Sequence, residues 1–187
     1  HLRFHNIDLN KLVETYGAPL KFTYLPKISE NIQKSKSWFK NAIEKHNSQG
    51  KYNYCSCTKS SHFKHVLNEA VKNDIHIVTS SAFDIDIVET LKVVGKINDQ
   101  TFVISNGFKR AQYITNIARL INNGHKNCIP IIDNYEEIEL LSDEIKGNYN
   151  IGIRIASEEE PKFEFYTSRL GIGYKNIVPF YNKQIKD

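Results

Sequence analysis

Five apolar stretches recur along the chain at steps of about 22 to 27 residues, and the first four each lead into an amphipathic helix pattern. They are "YNYCSC" (52–57), "IHIVT" (75–79), "TFVIS" (101–105), "CIPIID" (128–133) and "YNIGIRIA" (149–156). This is the period of a βα unit. Strands alternating with helices require a parallel sheet joined by right-handed crossovers. Between the strands, Phe63, Val66, Leu67, Ala70 and Val71 fall on one helical stripe, as do Ile114, Ile117, Ala118 and Ile121, and Ile138, Leu141 and Ile145. Ser81 with Asp84 and Asn134 with Glu137 have capping-box spacing, and Gly95, Gly124 and Gly147 stand where helices should stop. Two α/β architectures satisfy the pattern. One is an open, doubly wound sheet of five strands, flavodoxin-like, with strand order 2-1-3-4-5. The other is a partial (β/α)8 TIM barrel, five units out of eight. Periodicity does not choose between them.

Residues 1–47 precede the repeat and are expected to form a helix over 9–16 ending at Gly17, a strand over 19–25, and a helix over 26–46 opened by Pro26. Residues 48–187 carry the regular units. The chain has 187 residues, 40% hydrophobic and 25% charged, which is a globular balance. Its net charge of +4 is not gathered into a basic block, so a nucleic-acid partner is not expected. No apolar run reaches the roughly 20 residues of a membrane-spanning helix, and "HLRFHNIDLN" has no signal-peptide pattern. Three cysteines, an odd number, read as reduced thiols in the cytoplasm. The sequence lacks methionine and begins with His1, so it is expected to be a fragment, a processed form or an incompletely represented chain.

In either architecture ligands bind at the C-terminal ends of the strands. Those ends read Thr58-Lys59-Ser60, Thr79-Ser80-Ser81, Ser105-Asn106 with Lys109 nearby, Asp133-Asn134, and Arg154 with Ser157. One rim thus gathers two lysines, an arginine, an aspartate and small hydrogen-bonding groups, as a site for an anionic ligand would. Lys59 shares a strand face with Cys57, Cys55 and Asn53. If Cys57 faces inward, Lys59 follows a small, dry wall, where desolvation would make it a nucleophile for carbonyls, including the aldehyde of pyridoxal phosphate. A solvated lysine at a helix start is the other reading of the same position. Arg154 lies in an apolar strand and needs a partner there, either a structural ion pair or a ligand. Cys55, Cys57, His62 and His65 have poor spacing for zinc, because strand and helix would both have to turn their ligands inward, so no metal is expected. "GIGY" (171–174) is too short for a nucleotide loop, and "SEEEPK" (157–162) reads as a solvated loop.

In order along the chain, "YGAPLKFTYLPKISENI", "YCSCTKSS", "VTSSAFDIDIV", "DNYEEIELL", "IRIA" and "SRLGIGY" resemble the alanine-racemase-like, fold type III pyridoxal-phosphate enzymes. That family includes the diaminopimelate, ornithine, arginine and carboxynorspermidine decarboxylases. Its typical motifs are "YGTPLYVYD", "YAVKAN" with the cofactor lysine, "ASxGE", an "LRI" arginine and "KFGI". The wording here is most similar to bacterial arginine decarboxylase-like proteins. The resemblance implies that Lys59 carries pyridoxal 5'-phosphate as the internal aldimine and that Ser80 and Arg154 bind the cofactor, Arg154 from inside the barrel. It implies that strand 19–25 joins a C-terminal β-domain while the five regular strands begin the barrel. It puts Arg169 near a homodimer interface. Cys57, Asn106, Lys109 and Asp133 are candidates for supporting or interface positions. The implied reaction is decarboxylation of a basic amino acid, arginine first, to agmatine and carbon dioxide. Diaminopimelate and carboxynorspermidine are alternative substrates, and a cofactor carrier or regulator and a complete flavodoxin-like binding domain are the non-enzymatic alternatives. The family's phosphate loop and the acid for the ring nitrogen lie later in its chains, so residues 1–187 alone are expected to be inactive.

Overall fold

The computed structural model describes residues 2–156 and 170–186. Two short strands, β1 (Arg3–Phe4) and β2 (Ile7–Asp8), pair antiparallel and lead into α1 (Leu9–Tyr16). The Asp8 carboxylate accepts from the amides of Asn10 and Lys11, at 3.1 and 3.4 Å, and so caps the helix. Gly17, at φ 82°, ends it and returns its N–H to the Val13 carbonyl. Residues 19–25 form no strand, contrary to expectation. An extended segment becomes a strand only when a neighbour takes its backbone hydrogen bonds, and no described segment pairs here. Leu20 and Phe22 are exposed on it. Then α2 (Pro26–Lys45) begins with proline in its first turn and reaches the core through Ile32.

The repeat follows as β3 (Cys55–Cys57), α3 (Lys64–Val71), β4 (His76–Thr79), α4 (Ala82–Val93), β5 (Val103–Ser105), α5 (Ala111–Asn122), β6 (Cys128–Ile132), α6 (Glu136–Glu144) and β7 (Gly152–Ile153). The strands are parallel and lie side by side in sequence order, β3-β4-β5-β6-β7. The flavodoxin-like order 2-1-3-4-5 is therefore not what forms. Each crossover moves the chain one strand further in the same sense, so the helices collect on one side.

The two faces of the sheet differ accordingly. Ile77, Val103, Cys128 and Ile132 are fully buried and join a core with Ile85 and Val88 of α4, Ile117 of α5 and Leu141 of α6. On the opposite face Cys57, Val78, Ile104, Ile129 and Ile131 are only half-buried. A doubly wound parallel sheet would have helices over both faces. An α/β sheet in sequence order with helices on one face is compatible with part of a (β/α)8 barrel, the bare face being its inside.

The fifth expected strand is interrupted at Arg154. Beyond it, β8 (Ile155–Ala156) pairs in parallel with β9 (Ile172–Gly173). Arg154 joins the two sheets through its backbone. Its N–H donates to the Ile132 carbonyl at 3.0 Å, and its carbonyl accepts from Ile172 at 2.8 Å. A short 3₁₀ turn and α7 (Ile177–Gln184) follow, with Phe180 buried edge-on against Tyr135.

Candidate functional site

The parallel register carries the rim residues onto one face. Cys57, Val78, Ile104 and Ile129 are successive partners across β3 to β6, and Ile131 pairs with Gly152 across β6 and β7. Alternation then sets Lys59, Ser80, Asn106, Asp133 and Arg154 on that same half-buried face, each at or just past the C-terminal end of its strand. Gly152 leaves room there, since a Cβ on it would stand 2.4 Å from Cδ1 of Ile131.

Lys59 sits in a turn closed by the Ser60 N–H to the Cys57 carbonyl at 3.2 Å. It is exposed, so the described residues do not supply the desolvation expected of it. Among the described residues its amine has no hydrogen-bonded or ionic partner. Cys57, two residues earlier, is half-buried with a free thiol.

Ser80 is tied down by Asp84, whose Oδ2 accepts from the Ser80 amide at 2.8 Å and from its hydroxyl at 3.2 Å. The expected Ser81–Asp84 capping box is shifted by one residue, because the Ser81 side chain makes no cap bond. Asn106 turns its side-chain oxygen onto the Gly107 amide, 2.9 Å away. Behind the rim, on the helix side, the Thr79 hydroxyl lies 2.8 Å from Tyr113 Oη and 3.2 Å from Ser105 Oγ. Burial holds the Tyr113 phenol well above its usual range.

The strongest electrostatic feature is a cluster of four charged residues between β5, β6 and β7. Lys109 is buried, and its Nζ donates to the Gly107 carbonyl at 2.8 Å, to the Ile131 carbonyl, and to Glu137 Oε2 at 3.1 Å. Desolvation pulls the Lys109 ammonium below its ordinary value, and the negative charge of Glu137 opposes that pull. Glu137 also accepts from the amides of Lys109 and Asp133, both at 2.9 Å, and from Asn134 Nδ2 at 3.1 Å. The Asn134 side chain in turn accepts from the amides of Glu136 and Glu137 at the start of α6, so the expected Asn134–Glu137 capping pair forms.

Asp133 is different. Its carboxylate is fully buried, and neither oxygen has a hydrogen-bond partner among the described residues. The nearest cation is Arg154, with Nη1 at 3.5 Å from Oδ1. Arg154 itself is 37% exposed and so reaches from the sheet toward solvent. Gly171 presses against its backbone at φ +100°, where a Cβ would fall 2.8 Å from the Arg154 carbonyl. Arg169 and Ser157 lie outside the described residues.

Sequence reading brought together Lys59, Ser80, Asn106, Asp133 and Arg154. It missed Glu137 as a charged partner and Asp84 as the holder of Ser80. The available signal was an acid four residues after each strand-end Ser80 and Asp133. No group of histidines, cysteines and acids suited to a metal occurs among the described residues, and no described helix is long and apolar enough to cross a membrane.

No known family model matches the chain, and no curated protein does. Among solved structures it is similar to the biosynthetic arginine decarboxylase SpeA from Campylobacter jejuni, with a TM-score of 0.69 at 20% sequence identity. The match covers 95% of this chain and 30% of that one, so this α/β fold is that of one portion of a decarboxylase about three times its length.

Proposed function

We propose that this chain is the N-terminal barrel portion of a pyridoxal-phosphate-dependent decarboxylase acting on a basic amino acid, arginine first. The single observation that carries the reading is the set Lys59, Ser80, Asn106, Asp133 and Arg154 on one open sheet face, at the C-terminal ends of successive parallel strands. The likeness of the fold to part of an arginine decarboxylase supports it.

The residues present fit the cofactor. Lys59 offers a primary amine that no described acid occupies and would hold the aldehyde. Cys57, Val78, Ile104 and Ile131 give a half-buried apolar floor for a flat ring. Ser80, fixed by Asp84, offers its hydroxyl, and Arg154 brings a cation to the same face. When bound, the cofactor supplies an electron sink for the carbanion left by carbon dioxide. Asp133 holds Arg154 by charge, and the apolar floor excludes water from its side of the site. The Lys59 amine can return a proton near the reacting carbon because its flexible stem starts from a fixed turn. The active molecule is proposed as a cytoplasmic homodimer, with Arg169 near its interface and residues 1–47 as a segment distinct from the barrel.

The test is borohydride reduction of the full-length protein with pyridoxal phosphate, followed by peptide mapping. The label should fall on Lys59 and disappear in Lys59→Ala, while Lys109→Ala should keep it. A label that persists on another lysine in the Lys59 variant would refute the assignment.

A further inference from the structure

A cavity lies on the other side of the sheet, in the helical layer. Within that layer α2 packs on α3, α4 on α5, and α5 on α6, whereas α3 and α4 pack less closely on each other. The gap between them is a cavity of about 390 Å³, within the range of about 300–1,000 Å³ common to small-molecule sites. Leu67, Ile87, Leu91 and Val94 line it, and Lys64 and Lys96 stand among the lining residues with His62.

The charges around this gap are segregated. Glu69 of α3 turns away, toward Ser29 and Lys72. Asp86 and Glu89 of α4 turn the opposite way, onto Arg119 of α5. Among the described residues no carboxylate lines the gap, so the charged groups they bring to it are cationic. Lys96 Nζ bridges it by donating to Asn68 Oδ1 at 2.7 Å, and this neutral partner leaves its charge uncompensated among the described residues. Lys64 has no ionic partner among the described residues.

We infer that the α3–α4 cavity binds a small soluble amphiphilic anion, an apolar chain or ring ending in a carboxylate. The chain lies on Leu67, Ile87, Leu91 and Val94, and the carboxylate meets Lys64 and Lys96. This site is independent of the proposed cofactor face, which lies across the sheet.

Octanoate serves as the probe and 1-octanol as its uncharged counterpart, titrated calorimetrically into the full-length protein. Hydrogen–deuterium exchange of the α3 and α4 peptides locates binding. Octanoate should slow exchange in both helices, and octanol should bind about tenfold more weakly, as loss of two exposed charge contacts implies. Lys64→Glu with Lys96→Glu should weaken octanoate by at least about the same factor. Ile87→Trp should block both ligands while borohydride labelling of Lys59 stays unchanged. Equal affinity for octanoate and octanol would overturn the inference. So would exchange protection elsewhere, or binding only to vesicles of anionic lipid.

Discussion

Replacing Lys109 by methionine removes the ammonium but keeps most of the side-chain volume. Breaking a buried ion pair from one side costs about 3–5 kcal/mol, because the other charge is left uncompensated. Here Glu137 keeps three N–H donors, the backbone amides of residue 109 and Asp133 and the side-chain amide of Asn134, so its charge remains hydrogen-bonded. The Gly107 and Ile131 carbonyls, however, lose their Lys109 donor, at about 1–3 kcal/mol for each left unsatisfied. These effects oppose each other, and the expected loss is about 3 kcal/mol. Equilibrium urea unfolding followed by far-UV circular dichroism measures it. Glu137→Gln should be comparably damaging, since it strands the ammonium. The double variant should be less destabilised than the sum of the two by about 1–3 kcal/mol, the signature of a coupled pair. Additivity within about 0.5 kcal/mol would show that Lys109 and Glu137 do not act on each other, and would refute the reasoning.

Three further outcomes can be checked. Gly171→Ala sets a Cβ at φ +100° and 2.8 Å from the Arg154 carbonyl, so it should cost about 2 kcal/mol or more in the same unfolding experiment. Arg154→Leu leaves the buried Asp133 carboxylate without its cation; on the proposed function it should abolish carbon dioxide release by the full-length protein, and adding Asp133→Asn should restore stability without restoring activity. His125 is buried with Nε2 donating to the Thr101 carbonyl at 2.8 Å, and desolvation lowers its affinity for a proton below the ordinary 6.5. The unfolded chain therefore takes up that proton first, and stability should fall as pH drops through 6.5; His125→Leu should flatten that slope, leaving a part of the same sign from His76.

Much of this molecule is local in origin. The stripe Ile114, Ile117, Ala118 and Ile121 forms within one helix and needs only near neighbours to be legible. Asp8 and Gly17 bound α1, and Pro26 opens α2, by the conformational limits of single residues. The alternation that puts Lys59, Ser80, Asn106, Asp133 and Arg154 at strand ends is equally local, and so the candidate rim could be read directly. Tertiary structure decided the rest. Strand order depends on which side each helix packs, and the same βα period serves a sheet wound in one sense or in two. Residues 19–25 have the composition of a strand, yet a strand exists only with a partner for its N–H and C=O groups. The interruption at Arg154 follows from its two backbone bonds to different neighbours, Ile132 and Ile172. Lys109 and Glu137 lie 28 residues apart and meet only because β5 and β6 are adjacent. An ion pair of that kind leaves no periodic trace in a sequence, since its energy arises only once the fold has removed both charges from water.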